Sequence, residues 1–277
     1  MRFATLRTTE GLRAVRIEED EAFGLDFADV GALLASGPRW RQVAAVGGTT
    51  LGSLDAYDLA PLVPLPRKII CVGLNYASHI QEMGREVPAH PTIFAKYARA
   101  LIGARDPIML PAVSDKVDWE VELAVVVGQP VRRADEAAAR DAIAGSTILN
   151  DVSVRDWQFR TNQFLQGKTF ESTTPLGPTL VTTDEIDFAD GLEVRCEVDG
   201  ETMQTGNTSD LLFPPVELVR YLSTIFTLDP GDIIATGTPS GVGAGRTPEV
   251  YLRSGQTVRT TIEGLGELVN KCVKDEL

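Results

Sequence analysis

The chain has 277 residues, 43% of them hydrophobic, which is enough for one large core or for a large and a small one. Acidic residues outnumber basic ones 39 to 26, and the formal charge of −13 repels a phosphate backbone, so no nucleic-acid partner is expected. No apolar stretch approaches the roughly 20 residues of a membrane span, so no membrane partner is expected either.

The first stretch, MRFATLRTTEGLRAVRIEED, lacks the apolar centre of a secretory signal. Three well-separated cysteines, Cys71, Cys196 and Cys272, suggest a reducing compartment without a disulfide framework. Together these features predict a cytoplasmic location. The last four residues, Lys274-Asp275-Glu276-Leu277, spell an endoplasmic-reticulum retention address, which without an entry signal is read as coincidence.

Residues 1–62 are expected to form a small N-terminal domain of short segments. The stretch LAPLVPLPRKII then carries Pro61, Pro64 and Pro66, which fix φ and remove donors, so it reads as an extended connector. A larger domain, 63–277, follows and opens with the buried strand KIICVGLNY. Helix is expected at the segment holding His79 and Glu82, with a stop at Gly84. DWEVELAVVVG (118–128) reads as a strand, ADEAAARDAIAG (134–145) as a helix stopping at Gly145, and PPVELVRYLSTIF (214–226) as a second helix. Hairpins are expected at 192–206, turning at Asp199-Gly200, and at 256–273, turning at Gly264–Gly266. Strand and helix do not alternate regularly, so the fold class is mixed α/β, mainly β.

Strand 118–128 places Glu120 and Glu122 on one face that continues as Ala124 and Val126. A solvent-facing strand is one explanation. The alternative is convergence on a cation, since alternate residues of one face lie about 6.6 Å apart at the backbone. Asp151, at the end of the apolar run Ile148-Leu149, adds a third carboxylate. Three hard oxygen donors suit Mg²⁺, Mn²⁺ or Ca²⁺ and argue against zinc. Arg155 and Gln158 follow one turn apart, able to hold a substrate carboxylate and carbonyl or to stand exposed. His79 and Glu82, at i and i+3, read as a general-base pair or as an exposed ion pair. His90, between prolines, reads as a loop residue. Lys168 faces solvent or an anion whose charge it would stabilise. IIATGTPSGVGAG (233–245) lacks the phosphate-loop, dinucleotide and serine-elbow patterns. Its backbone N–H groups and the Thr236 and Thr238 hydroxyls would suit an anion such as a carboxylate.

The order GLNYASHIQE, DWEVELAVVVG, NDVSVRDWQ, QGKTFE…PLGP and GDIIATGTPSGVG resembles the fumarylacetoacetate hydrolase family over roughly residues 67–270. The resemblance implies a β-sandwich roll preceded by a smaller domain, usually dimeric. It implies Mg²⁺ or a similar ion on Glu120, Glu122 and Asp151, a lid dyad of His79 and Glu82, and an active-site Lys168. It also implies substrate contacts from Arg155, Gln158 and Thr238. Leu74 stands where many members have arginine, and Glu171 where many have aspartate.

The activity expected first is metal-dependent hydrolysis of a C–C bond in a 2,4-dioxo acid, an acylpyruvate, with release of pyruvate. A decarboxylase of oxaloacetate or a related 2-oxo acid generates the same enolate, and an isomerase or hydratase of 2-oxo-enoic acids is a third reading. A non-enzymatic protein braced by Ca²⁺ is the alternative from another class.

Overall fold

The computed structural model describes residues 1–82, 86–186 and 191–276, with the side chains of His79 and Glu82 outside that description. The chain opens with strands β1 (Arg2–Thr8), β2 (Gly11–Glu18) and β3 (Glu21–Gly24). Short helices α1 (Val30–Ala35) and α2 (Trp40–Ala45) follow, then β4 (Thr49–Ser53) and β5 (Asp58–Leu59). Beyond the prolines come β6 (Ile69–Gly73), α3 (Ala77–Glu82), β7 (Thr92–Lys96), β8 (Leu101–Ile102), β9 (Ile108–Leu110) and β10 (Val117–Asp118). The centre holds β11 (Val121–Val127), α4 (Glu136–Ala142), β12 (Ile143–Asn150) and β13 (Ser153–Val154). Single helical turns α5 (Arg155–Gln158) and α6 (Leu165–Lys168) lead to β14 (Thr174–Thr182). The chain finishes with β15 (Glu193–Val198), β16 (Glu201–Asn207), α7 (Pro215–Ile225), β17 (Ile233–Ala235), β18 (Thr257–Ile262) and β19 (Gly266–Lys274).

Two sheets account for nearly all of these strands. The larger runs β4-β3-β2-β1-β14-β12-β11-β17-β6-β7, and the smaller runs β16-β15-β18-β19-β9. The N-terminal strands are hydrogen-bonded into the larger sheet, where Arg2 and Phe3 of β1 pair with Val181 and Leu180 of β14. The architecture is therefore mixed and mainly β, as the irregular order of strand and helix signals predicts. Among the described residues no helix is long and apolar enough to cross a membrane.

Every residue of β11 is buried, and its side chains enter three separate cores. Leu123 joins Ile148, Val194, Val258 and Leu268 between the two sheets. Val125 and Val127 meet Ala139 of α4 and Leu218 and Leu222 of α7. Ala124 and Val126 share a third core with Leu33 and Leu34 of α1. A strand apolar on both faces is what burial on both sides requires.

Both hairpins turn where expected. Asp199 and Gly200 have φ of 51° and 82°, the left-handed pair that a tight two-residue turn needs. The expected helix at 134–145 is shorter: α4 stops at Ala142, and Gly145 lies inside β12. Alanine and arginine favour helix, but the β-branched Ile143 and the buried run that follows it are claimed by the sheet. Gly145 serves close approach instead of helix termination. A Cβ there would come within 2.1 Å of the Val181 carbonyl oxygen across the ladder with β14. Gly145→Ala should therefore destabilise the fold by at least about 2 kcal/mol in urea unfolding. A loss below about 0.5 kcal/mol would contradict this placement.

Candidate active site

The strand expected at 118–128 is interrupted. β10 ends at Asp118 and β11 begins at Val121, so Glu120 sits in the break and Glu122 on the first turn of pleat beyond it. Main-chain groups in the break are satisfied by other elements. Glu120 N–H donates to the Asn150 side-chain oxygen at 3.0 Å, and the Glu120 carbonyl accepts from Asp151 N–H at 2.8 Å. That exchange sets the end of β12 against the start of β11 and brings Asp151 beside the glutamates. One carboxylate oxygen from each of Glu120, Glu122 and Asp151 lies within 4.8 Å of the others, and all three residues are buried.

Cations surround the cluster. Lys168 Nζ lies 2.7 Å from Glu120 Oε2 and 2.9 Å from Asp151 Oδ2. Lys96 Nζ donates to the other oxygen of Asp151 at 2.5 Å. Arg155 pairs with Glu120 through Nη1 at 2.7 Å and with Asp118 through Nε at 2.8 Å. Arg155 Nη1 also donates to Gln158 Oε1 at 2.9 Å, while its Nη2 is buried with no partner. Gly237 N–H donates to Glu122 Oε2 at 2.8 Å. Among the described residues no cationic side chain pairs with Glu122.

Four buried carboxylates, including Asp118, thus face three buried cations, leaving one negative charge in excess. Burial, with Asp151 and Glu120 adding repulsion, pushes the Glu122 carboxyl well above its usual range. Burial lowers the Lys168 ammonium and the Arg155 guanidinium, yet Asp151 and Glu120 outweigh it at Lys168, and Asp118 and Glu120 outweigh it at Arg155. Both are raised and stay cationic. A site of three converging hard oxygens, short of one positive charge, fits Mg²⁺, Mn²⁺ or Ca²⁺. Bound there, the ion would be held by Glu120, Glu122 and Asp151.

Glu120, Glu122, Arg155, Gln158, Lys168 and Thr238 line one cavity of about 330 Å³. Its wall is formed by Leu74, Phe94, Phe159 and Phe164. Phe94 and Phe164 meet edge to face at 5.7 Å, and Phe159 is half exposed at the rim. Leu74 has φ of 56°, a left-handed conformation that costs a bulky residue about 1 kcal/mol or more and is held here at the cavity wall.

The glycine-rich segment does gather an anion, but that anion belongs to the protein. Gly243 and Ala244 N–H donate to the two oxygens of Asp118, at 2.7 and 2.9 Å. The Thr236 and Thr238 hydroxyls donate to the Leu123 and Val121 carbonyls, both at 2.9 Å, and so fasten the segment to β11. Asp118 then holds Arg155, which sequence reasoning left unconnected.

Helix α3 carries His79 and Glu82, whose side chains lie outside the described residues, and the expected stop at Gly84 lies outside them too. The base of α3 is anchored. Ser78 donates to Asp210 through its N–H at 3.1 Å and its Oγ at 2.6 Å. Asn75, fully buried, bonds the main chain of Phe213 and of Thr236. His90 is exposed in a loop and stacks on Tyr221. Lys96, Asn75 and Asp210 carried no signal in the sequence, because a lysine ending a strand or an asparagine in a loop reads as solvated.

The proton on Glu122 and a bound cation compete for the same oxygens. Mn²⁺ binding to metal-stripped protein should therefore strengthen as pH rises above the ordinary carboxylate value of 4.5. Because the folded-state carboxyl is raised, its stability contribution is complete below that value and is lost as pH climbs through the folded pKa. Metal-free protein should accordingly melt lower at neutral than at mildly acidic pH, and Mg²⁺ should restore the loss. Glu122→Gln should flatten that Tm profile and abolish the Mg²⁺ rescue, while an unchanged profile would contradict the account.

Residues 68–273 match the sequence pattern of the fumarylacetoacetate (FAA) hydrolase C-terminal family. The chain is 48% identical to the mitochondrial oxaloacetate tautomerase FAHD2A of Bos taurus over 235 residues, 84% of this chain and 74% of that protein. Among solved structures, a putative HpcE protein from Mycobacterium smegmatis superposes with a TM-score of 0.91 at 37% identity, covering 100% of both chains. A 5-carboxymethyl-2-hydroxymuconate delta-isomerase from the same organism gives a TM-score of 0.82 at 36% identity, again over 100% of both. With the pattern covering most of its length and close relatives spanning the rest of the comparison, the chain belongs to the fumarylacetoacetate hydrolase family.

Proposed function

We propose that the protein is a divalent-metal-dependent enzyme that moves a proton between carbon and oxygen of a 2-oxo acid, an oxaloacetate-type tautomerase. The observation that carries this is the cavity floor. Glu120 and Glu122, two of the three metal-suited carboxylates, line one small chamber together with the cationic side chains of Lys168 and Arg155, and Asp151 lies buried behind them. The names of the relatives support enol chemistry: one is an oxaloacetate tautomerase and another an isomerase of a 2-hydroxymuconate. Sequence alone put C–C hydrolysis first; these relatives move tautomerisation ahead of it.

When bound, Mg²⁺ or Mn²⁺ would supply Lewis acidity that stabilises enolate charge. Arg155, which lines the chamber, receives the substrate carboxylate, with Asp118 and Glu120 holding the guanidinium plane in place. Gln158 gives its oxygen to Arg155, which leaves its amide N–H groups for the substrate. Lys168, kept cationic by its carboxylates, stabilises negative charge that develops on the substrate oxygen. The C3 proton leaves to a base as the C–H electron pair forms the C2–C3 double bond and the carbonyl pair moves to oxygen. His79, oriented by Glu82, is the base and later the acid in this proposal. The aromatic wall excludes water that would compete for the proton.

A second reading keeps the C–C hydrolysis expected first. The chamber wall of Leu74, Phe94, Phe159 and Phe164 offers room for an acyl group. There His79 would activate water for attack on the distal carbonyl, and decarboxylation would generate the same enolate without that water. A Ca²⁺-braced structural protein needs neither Lys168 nor the unpartnered Arg155 nitrogen. The proposal includes a homodimer and a cytoplasmic location. The three cysteines are free and buried, which suits a reducing compartment, whereas the Bos taurus relative is named as mitochondrial.

The test is a panel of oxaloacetate, acetylpyruvate and fumarylpyruvate with Mg²⁺ and with EDTA. Enol absorbance follows tautomerisation and a coupled assay follows pyruvate. Oxaloacetate tautomerisation should be accelerated with Mg²⁺ and lost with EDTA, and faster pyruvate release from an acylpyruvate would favour the second reading. Lys168→Met should lower kcat by about 10²-fold or more with little change in KM, whereas Arg155→Gln should act mainly on KM. Equal turnover with and without metal would contradict both readings.

A further inference from the structure

One buried amide fixes the direction in which hydrogen bonds run at the cavity floor. Gln204 lies on β16 of the smaller sheet, 1% exposed, and reaches across to the larger one. Its Oε1 accepts from Val121 N–H at 3.0 Å, and its Nε2 donates to the Pro239 carbonyl at 2.9 Å. A backbone N–H donates and a carbonyl accepts, so these two partners leave one orientation for the amide. Nε2 is therefore also the donor in its 2.8 Å bond to Thr238 Oγ1. The single proton of that hydroxyl goes to the Val121 carbonyl, 2.9 Å away. One lone pair of Thr238 Oγ1 takes the Gln204 amide, and the other remains. Thr238 lines the cavity beside Glu120, Glu122 and Lys168.

We propose that Thr238 recognises the ligand by accepting a hydrogen bond, so that it selects a species with an O–H or N–H at that point. Gln204 is the positioning residue that sets this polarity. A freely rotating hydroxyl would donate to an enolate as readily as it accepts from an enol, and would not discriminate. The ligand's identity rests on the 2-oxo acid reading of the cavity, while the polarity follows from the bonds alone. The donor end of the ligand faces Thr238, and its anionic oxygens face Arg155 and Lys168.

Oxalate and oxamate separate these possibilities, because they are planar and nearly isosteric. Oxamate presents an amide N–H where oxalate presents an acceptor oxygen. Calorimetry on Mg²⁺-loaded protein measures both without turnover. Thr238→Val should weaken oxamate about ten-fold and leave oxalate within about two-fold, and Thr238→Ser should stay within about two-fold of the wild type for both. Gln204→Met frees the hydroxyl to turn and should move the preference toward oxalate about three-fold. Equal weakening of both ligands by Thr238→Val, weakening of oxalate alone, or no effect on either overturns the proposal. An unchanged ratio in Gln204→Met overturns the role of Gln204. Should Thr238→Val fail to fold, Thr238→Ala is read by the same ratio. Absence of oxaloacetate conversion would remove the proposed function and leave this binding result standing; if neither ligand binds the loaded protein, both fall.

Discussion

Burying Asp118, Glu120, Glu122 and Asp151 in one place is the constraint that the rest of the site answers. A buried charge without compensation costs several kcal/mol, so each carboxylate must find a cation, a proton or a row of N–H groups. Asp118 takes Arg155 and two backbone N–H groups of the glycine-rich segment. Glu120 takes Arg155 and Lys168, and Asp151 takes Lys96 and Lys168. Glu122 is left with a backbone N–H and a raised carboxyl pKa. The shortfall of one positive charge is thus concentrated on one residue, at the point where the three oxygens converge. A proton relieves it without function; a dication, which these three oxygens fit, would relieve it and supply Lewis acidity at the cavity.

The two lysines differ in what they hold. Lys96 binds the Asp151 oxygen that Lys168 does not and is absent from the cavity lining, whereas Lys168 bridges Glu120 and Asp151 and lines the cavity. Lys96 keeps its partner turned, and Lys168 is positioned to meet a ligand. This division depends on the break between β10 and β11. There the ladder gives way to side-chain amides, Asn150 at Glu120 and Gln204 at Val121, with Thr260 on β18 holding Asn150 in turn. Both amides tie the larger sheet to the smaller one, so the position of the carboxylates is set by the packing of the whole sandwich.

Much of the site was legible because its residue types are expensive to place elsewhere. Paired glutamates beside Ala124 and Val126 signal a buried face, and Asp151 after Ile148-Leu149 signals a strand end. The structure brings these three together with Arg155, Gln158, Lys168 and Thr238. The glycine-rich segment was legible as an anion holder but not for which anion, since the spacing of its N–H groups says nothing about Asp118 more than 120 residues earlier in the chain. Lys96 and Gln204 were invisible for a similar reason: their partners lie 55 and 34 residues or more away, and a lone polar residue in a strand reads as exposed. Gly145 read as a helix stop because close approach to Val181 depends on the pairing of β12 with β14, which no local pattern encodes. Side chains of His79 and Glu82 lie outside the described residues, so the lid pair stands on the sequence resemblance.

The most direct measurement is an anomalous difference map from a crystal soaked in Mn²⁺. The account predicts one strong peak per chain at coordination distance from an oxygen of each of Glu120, Glu122 and Asp151, with the Lys168 ammonium withdrawn from between them. A map with no peak there, and Lys168 still bridging Glu120 and Asp151 at full Mn²⁺ concentration, would contradict it.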